Sequence, residues 1–206
     1  MGRVSTEPDP ATEPTPSVDD LGAALRDIVE FVDVQGWGLP PMLFALVPTA
    51  VLAATQPGLI DPDDDSVLSP VAQEPIPTAG HDEDPGTALE QVLATTTWPE
   101  VVAGAAVIRE IVVLPPGAEE PGAAHTHPDR RTARLVVGAL RNRTTPGNRT
   151  TPGNRTTLAL LHLQPDSAQH DENGSEASAE IELLTRHDLA TDLRNALAHT
   201  FDDPTP

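Results

Sequence analysis

The chain has 206 residues, of which 12 are basic (all arginine) and 32 acidic, and its formal net charge is −20. It contains no cysteine, which excludes disulfides, thiol catalysis and cysteine-ligated zinc, and the negative charge argues against broad binding to nucleic acid or anionic membrane. Aromatic residues make up only 2 %, and 23 prolines and 14 glycines indicate that much of the length is loop.

The N-terminal part is predicted to contain a disordered tail followed by an amphipathic helix. Residues 1–16 are rich in proline, threonine and acidic side chains, a composition typical of disorder. Ser17 can cap a helix that runs to Gln35, because Asp19 and Asp20 then lie in the first turn, where the helix dipole favours anions. The apolar residues of this helix share one face: Leu21, Leu25, Ile28, Val29 and Val32.

The segment that follows alternates short apolar runs with proline-rich stretches. Residues 42–47 are predicted to form a short buried strand or a helical turn, and Pro48 and Thr49 open a short helix that ends at Ala54. Residues 61–86 are rich in proline and acidic side chains and are predicted to form one long loop. Residues 87–96 are predicted to be helical, because Thr-Ala-Leu-Glu at their start is a capping box.

A tandem repeat marks the middle of the chain. The hexapeptide Asn-Arg-Thr-Thr-Pro-Gly occurs twice without a mismatch over residues 142–153 and begins again at Asn154. Strand-forming runs at 134–140 and 158–163 flank it, so we predict an antiparallel hairpin whose tip was lengthened by duplication. Such an insertion is tolerated where the added backbone stays solvated. Upstream, the apolar run 101–114 predicts a strand bent near its glycine.

The C-terminal part is predicted to contain a polar insertion and a last helix. The insertion covers residues 165–180, and Thr185 is expected to cap the helix, whose apolar side repeats every four residues. That side consists of Leu189, Leu193, Leu197 and Phe201. Because the strands follow one another and the helices lie outside them, the predicted fold class is α+β. An antiparallel sheet of three to four strands with helices packed against it is expected.

One domain is expected over residues 17–203, with loop insertions at 61–86, 142–157 and 165–180. Because the N-terminus lacks the basic and apolar pattern of a signal peptide, we predict a cytoplasmic protein. No run reaches the ~20 apolar residues of a membrane span, so no membrane association is predicted.

Scattered blocks of the sequence resemble a family of uncharacterised actinobacterial proteins. The blocks are residues 37–49, 69–77, 98–99, 112–116 and 127–130, and the resemblance extends over roughly residues 20–200. In that family a short polar turn joins the two strands of the hairpin, so the resemblance implies that the repeat is an expansion. It implies a fold and a lineage, but no activity, cofactor or partner.

His125-Thr126-His127 is the strongest candidate for a metal site. On a strand, a His-x-His pair places both imidazoles on one face, a spacing that cupin-type barrels use for metal, and His162 would be a third ligand. However, Pro128 interrupts the strand and nearby arginines oppose a cation. A loop histidine beside a strand start is therefore the favoured interpretation, and we predict no metal, cofactor-binding or catalytic residue.

Arginine is concentrated in one part of the chain. Seven of the 12 lie between Arg130 and Arg155, and no acidic residue occurs from Arg130 to Pro165. This stripe could dock an acidic partner or a phosphate-bearing ligand. The favoured interpretation is that the repeat arginines are solvated while three others pair with the protein's own carboxylates: Arg131, Arg134 and Arg141.

Two other charged groups have structural interpretations. Residues 61–65 carry acids at alternate positions, as a calcium loop does, but the loop's glycine and final glutamate are missing, so a solvated acidic loop is favoured. Arg109 and Glu110 interrupt an apolar run, and we expect them at an edge or solvent-facing position.

No phosphate loop, dinucleotide fingerprint or nucleophile elbow is present. The first functional prediction is therefore a non-catalytic cytoplasmic interaction or adaptor protein with an unknown protein partner. The second is a metal-binding domain or enzyme centred on His125 and His127. The third is an arginine-mediated binder of an acidic partner or nucleic acid, although the net charge disfavours nucleic acid. The oligomeric state is left open.

Overall fold

The structure is a computed structural model that describes residues 15–61, 63–74, 76, 85–115, 117–118, 126–141, 155–165, 183–185 and 189–202. Its helices are α1 (Val18–Asp33), α2 (Thr49–Thr55), α3 (Pro85–Thr95) and α4 (Thr191–His199). Its strands are β1 (Met42–Pro48), β2 (Leu68–Ala72), β3 (Gly104–Val113), β4 (Arg131–Leu140), β5 (Thr157–Leu163) and β6 (Leu183–Thr185).

The strands form one antiparallel sheet in the order β2-β1-β3-β4-β5-β6. The predicted α+β class is confirmed, but the expectation of three to four strands is wrong, because the described residues contain six. The two additional strands lie at the edges of the sheet. β2 falls inside the predicted 61–86 loop, and its Pro70 is tolerated because an edge strand needs backbone bonds on one side only.

Helix α1 follows the sequence prediction closely. The Oγ of Ser17 accepts a hydrogen bond from the Asp20 backbone N at 3.2 Å, and the Asp20 carboxylate accepts one from the Ser17 backbone N at 2.7 Å, which completes a capping box. The helix ends at Asp33, two residues earlier than predicted. All five residues of the predicted apolar face are buried, and this face packs against one side of the sheet.

The sheet is covered on both faces, which places the core in two layers. On the α1 side, the apolar side chains of the four central strands are Phe44, Leu46, Ala106, Ile108, Val136, Leu140 and Leu160. On the opposite side, β3 and β4 pack against α3 and α4 through Val107 and Val137. The predicted apolar side of the last helix is confirmed in part: Leu193 and Leu197 face this cluster from α4, while Leu189 and Phe201 pack against it from outside the helix.

The boundaries of the last two helices differ from those predicted. α3 begins at Pro85, two residues before the predicted start at Thr87; proline is favoured in a first helical turn, where its missing N–H costs nothing. Thr185 is not a helix cap but the end of β6, opposite Leu160, and α4 begins only at Thr191. At Thr185, pairing with β5 in the sheet therefore outweighs the local preference of threonine for a helix cap.

The predicted hairpin is confirmed. β4 and β5 pair antiparallel with Val136 opposite Leu160, while residues 142–154 lie outside the described residues, as do residues 1–14 and 166–182. The arginine on each side of the undescribed segment forms hydrogen bonds with another part of the domain. Arg141 donates to the carbonyls of Trp98 and Pro99 at 2.8 and 2.9 Å, and Arg155 binds both carboxylate oxygens of Asp202 at 2.5 and 2.8 Å.

Shortening the repeat should leave the domain folded, provided that Arg141 and Arg155 are kept. Deletion of residues 143–152 joins Asn142 to Gly153, a dipeptide suited to a tight turn. Because loop-closure entropy depends only logarithmically on length, the free energy of unfolding should change by no more than about 1 kcal/mol. Urea denaturation measures this. A larger loss of stability would show that the tip contributes contacts to the fold.

Gly138 allows α1 to approach β4 closely. A Cβ atom at this position would lie 2.7 Å from Leu21 Cδ1 and 2.9 Å from Leu25 Cδ2, and both leucines are fully buried. We expect Gly138→Val to lower the free energy of unfolding by about 1–3 kcal/mol through overpacking. Gly22→Ala is the control, because the new methyl group would meet Leu158 at an ordinary 3.5 Å. This change should raise the stability by about 0.5–1 kcal/mol, since glycine is unfavourable within a helix.

Candidate functional site

Three polar residues form a row across the central strands. Glu110 of β3 lies opposite Arg134 of β4, and Arg134 lies opposite His162 of β5. Side chains two residues away on each strand pack against α1. Because side chains alternate between the faces of a strand, the row lies on the α1 side of the sheet, where α1 ends.

Arg134 is the most deeply buried charged residue of the row, with 0 % of its surface exposed. Its Nη1 donates to Asp33 Oδ1 at 2.6 Å, and its Nη2 donates to the carbonyl oxygen of Gly36. The Cζ atom lies 4.1 Å from the centre of the Trp37 ring, a cation–π geometry. A charge buried in this way requires such partners, since desolvation alone would be strongly unfavourable.

Glu110 binds the other side of the same loop. Its Oε1 accepts hydrogen bonds from the backbone N atoms of Gly38 at 2.8 Å and Leu39 at 3.3 Å. The arginine therefore holds the carbonyl before Trp37, and the glutamate holds the amides after it. Gly36 and Gly38 adopt φ angles of +84° and +89°, a conformation that side chains disfavour. These contacts hold residues 36–39, the Trp37 loop, against the sheet.

The expectation that Arg109 and Glu110 lie at an edge is confirmed locally. β3 pairs with β1 only from Gly104 to Ile108, so these two residues pair with β4 alone. Strand alternation directs the two side chains to opposite faces. The sequence does not show where the pairing with β1 stops, because this depends on the register between distant segments.

His162 completes the row as a buried neutral base. It is 4 % exposed, its ring centre lies 5.7 Å from that of Trp37, and its Nδ1 has no hydrogen-bond partner among the described residues. Burial lowers the pKa of His162 below its usual value; Asp33 opposes this shift and Arg134 adds to it. The imidazole is consequently uncharged at neutral pH.

The structure does not bring together the candidate histidines that it describes. His162 lies against Trp37, whereas the Nδ1 of His127 accepts a hydrogen bond from the Asp129 backbone N at 3.1 Å. His125 lies outside the described residues. Within the described residues, no group of three or more His, Cys, Asp or Glu could hold a metal ion. That the protein has no metal site stays a prediction.

The described members of the Arg130–Arg155 stripe bind groups of the protein itself in most cases. Arg134 pairs with a carboxylate, as expected, but Arg141 binds backbone carbonyls instead. Arg131 donates to the carbonyl oxygen of Gln164 at 3.1 Å. Arg155 was expected to be solvated, and this is wrong, because it pairs with Asp202.

A cavity of about 390 Å³ lies beside the row, and no motif in the sequence indicates it. Among the described residues it is lined by Val112, Pro128, Arg130, Arg131, Thr132, Gln164 and Pro165. Val112 and Thr132 stand two residues from Glu110 and Arg134 on their strands, and Gln164 stands two residues from His162, directly after the end of β5. Alternation therefore places them on the same sheet face, beyond the end of α1.

The fold and the row define an α+β protein whose central charged residues hold a loop against a six-stranded sheet. A family model described as PPA1309-like protein matches residues 21–202, so the chain belongs to this uncharacterised family. The comparisons with curated proteins and with solved structures found no match. The expected membership of an uncharacterised family is confirmed, while the actinobacterial origin stays a prediction. Within the described part of the chain, no helix has the length and apolar character needed to cross a membrane.

The Asp33–Arg134 pair should respond unequally to removal of its two members. The side chain of Arg134 is 1 % exposed and that of Asp33 is 40 % exposed. Asp33→Asn strands a buried cation and should cost about 3 kcal/mol in the free energy of unfolding. Arg134→Met leaves a carboxylate that water can reach, and it should cost clearly less. Arg155→Met is the control, since this exposed pair should contribute at most about 1 kcal/mol. Denaturant unfolding measures the loss of stability in each variant. Equal losses for Asp33→Asn and Arg134→Met would contradict the prediction.

His162 should make the stability of the fold depend on pH. Because its pKa is lowered in the folded state, the unfolded chain takes up a proton near its ordinary pKa of about 6.5 while the folded chain does not. Stability is thus present above that pH and is lost as the pH falls below it. His162→Gln should reduce the loss between about pH 7 and pH 5.5 in thermal unfolding. His199→Gln, at an exposed histidine, is the control and should leave the loss of stability as large as in the unaltered protein. If stability depends on pH identically in the unaltered protein and in both variants, the assignment of this dependence to His162 is refuted.

Proposed function

We propose that this protein is a non-catalytic cytoplasmic interaction protein that binds a protein partner. The observation that carries the proposal is the use made of its central charged groups. Arg134 binds Asp33 and Gly36, and Glu110 binds the backbone N atoms of Gly38 and Leu39. Both side chains therefore hold a loop in place rather than facing a free reaction site.

The described histidines support a non-catalytic role. An activated nucleophile requires a base within hydrogen-bond distance of a hydroxyl or thiol. None of the described histidines makes a hydrogen bond to a hydroxyl: His127 binds a backbone amide, His162 packs against the Trp37 ring at a tilt of 41°, and His199 binds the Asn195 carbonyl oxygen.

The surface beside the Trp37 loop is suited to a partner. Val34, which follows α1, is 90 % exposed, and Phe31, one turn earlier, is 52 % exposed. These apolar side chains stand next to a loop that is already fixed from both sides, so its ordering would not oppose association. We call Phe31, Val34 and the exposed Pro40 the docking surface.

Affinity capture followed by quantitative mass spectrometry tests the proposal. Val34→Asp should reduce recovery of the partner at least about tenfold, because it places a charge in a desolvated contact, yet it should not affect folding at so exposed a position. Leu59→Asp, at a residue 69 % exposed on another segment, is the matched control.

The protein shortened at residues 143–152 should retain the same partner. Capture that depends on Leu59 or on the repeat, but not on Val34, would overturn the docking surface. Turnover of a substrate by the purified protein would overturn the non-catalytic function itself.

A further inference from the structure

The cavity beside the polar row occupies a part of the sheet that α1 leaves uncovered. α1 ends at Asp33, next to Arg134, and the sheet continues past the row by three residues on β3 and β4 and by one on β5. Val112, on this continuation, pairs with β4 alone and is 45 % exposed although it is a large apolar residue. The cavity is therefore an opening onto the sheet face and is distinct from the docking surface.

The polar side chains that line the cavity retain hydrogen-bonding capacity. Arg130 is exposed, and its guanidinium makes no hydrogen bond or ion pair within the described residues, although its backbone N donates to the His127 carbonyl oxygen at 3.3 Å. The side chains of Thr132 and Gln164 have no hydrogen-bond partner there either, although their backbones are joined from Gln164 N to Thr132 O at 2.9 Å. Arg131 is held through the Gln164 carbonyl and adds a second positive charge. No acidic residue is among the described residues of the lining.

This combination of groups favours a negatively charged ligand. Guanidinium groups bind carboxylates and phosphates through paired, charge-assisted hydrogen bonds. Thr132 and Gln164 can each donate a further hydrogen bond to an anionic oxygen. Asp129 is the nearest described acid in sequence, but it does not line the cavity.

The size of the cavity and the net charge of the chain select a small ligand. A volume of about 390 Å³ lies at the low end of the ~300–1,000 Å³ range of small-molecule sites. At physiological ionic strength, charges more than about 8 Å apart are largely screened, and the charged residues of the described lining are Arg130 and Arg131. An acidic macromolecule would instead contact the surrounding surface of a chain with net charge −20 and be repelled.

We propose that this cavity binds a small organic anion that carries a carboxylate or a phosphate group. Arg130 supplies the principal charge contact, and Thr132 and Gln164 hydrogen-bond the anionic oxygens. The site is independent of the docking surface, so either can exist without the other.

Titration calorimetry with three probes tests the proposal: inorganic phosphate, citrate and the neutral glycerol. We expect at least one anion to bind with a dissociation constant of about 1 mM or lower, and glycerol not to bind. Arg130→Ala should weaken binding at least about tenfold, because it removes the unshared charge. Arg26→Ala is the matched control, since Arg26 is an exposed arginine of α1 outside the lining and carries the same formal charge.

Amide chemical shifts locate the site independently of affinity. Addition of the bound anion should shift the signals of Thr132 and Gln164, and Gln164→Ala should weaken binding while thermal unfolding remains unchanged. A preference for phosphate over citrate, or the reverse, names the anionic group and supports the proposal either way. Three results would overturn it: no binding of either anion, equal losses in Arg130→Ala and Arg26→Ala, or shifts confined to residues outside the cavity.

Discussion

A guanidinium group buried in the middle of a sheet must be given partners by the fold around it, and Arg134 imposes this requirement here. Arg134 forms an ion pair with Asp33 at the end of α1 and donates a hydrogen bond from its second amino group to the Gly36 carbonyl oxygen. Its guanidinium also lies over the Trp37 ring. Such a pair is weak evidence for net stability, because desolvation offsets much of the attraction. The contacts of Arg134 join three parts of the fold at one side chain: the end of α1, the loop into β1 and strand β4.

Much of the fold could be predicted from the sequence where the signals are local. The α1 face and its Ser17 cap depend on residues within one or two helical turns, and the hairpin depends on two apolar runs on either side of a proline- and glycine-rich stretch. Edge strands were missed for a physical reason. β2 and β6 are short and partly exposed, so neither has the apolar content by which a buried strand is recognised.

The site was harder to predict, because it depends on register rather than on composition. Glu110, Arg134 and His162 each interrupt an apolar run, and only pairing between strands distant in sequence shows that they lie in one row. The predicted hairpin does not supply this register: pairing the inner ends of its two runs, Leu140 with Leu158, would set Arg134 opposite Gln164, whereas the structure pairs Gly138 with Leu158. The cavity had no signal in the sequence either, since its lining is defined by where α1 stops relative to the strands.

The two arginines that bracket the repeat have a practical consequence. Arg141 binds carbonyl groups in the segment before β3, and Arg155 binds Asp202 after α4, so each end of the tip is tied to another part of the domain. We expect a sequence inserted between these two arginines to leave both contacts in place. The tip is thus a suitable insertion point for a reporter peptide or a fluorescent label, whose length and composition should not affect the pairing of β4 with β5.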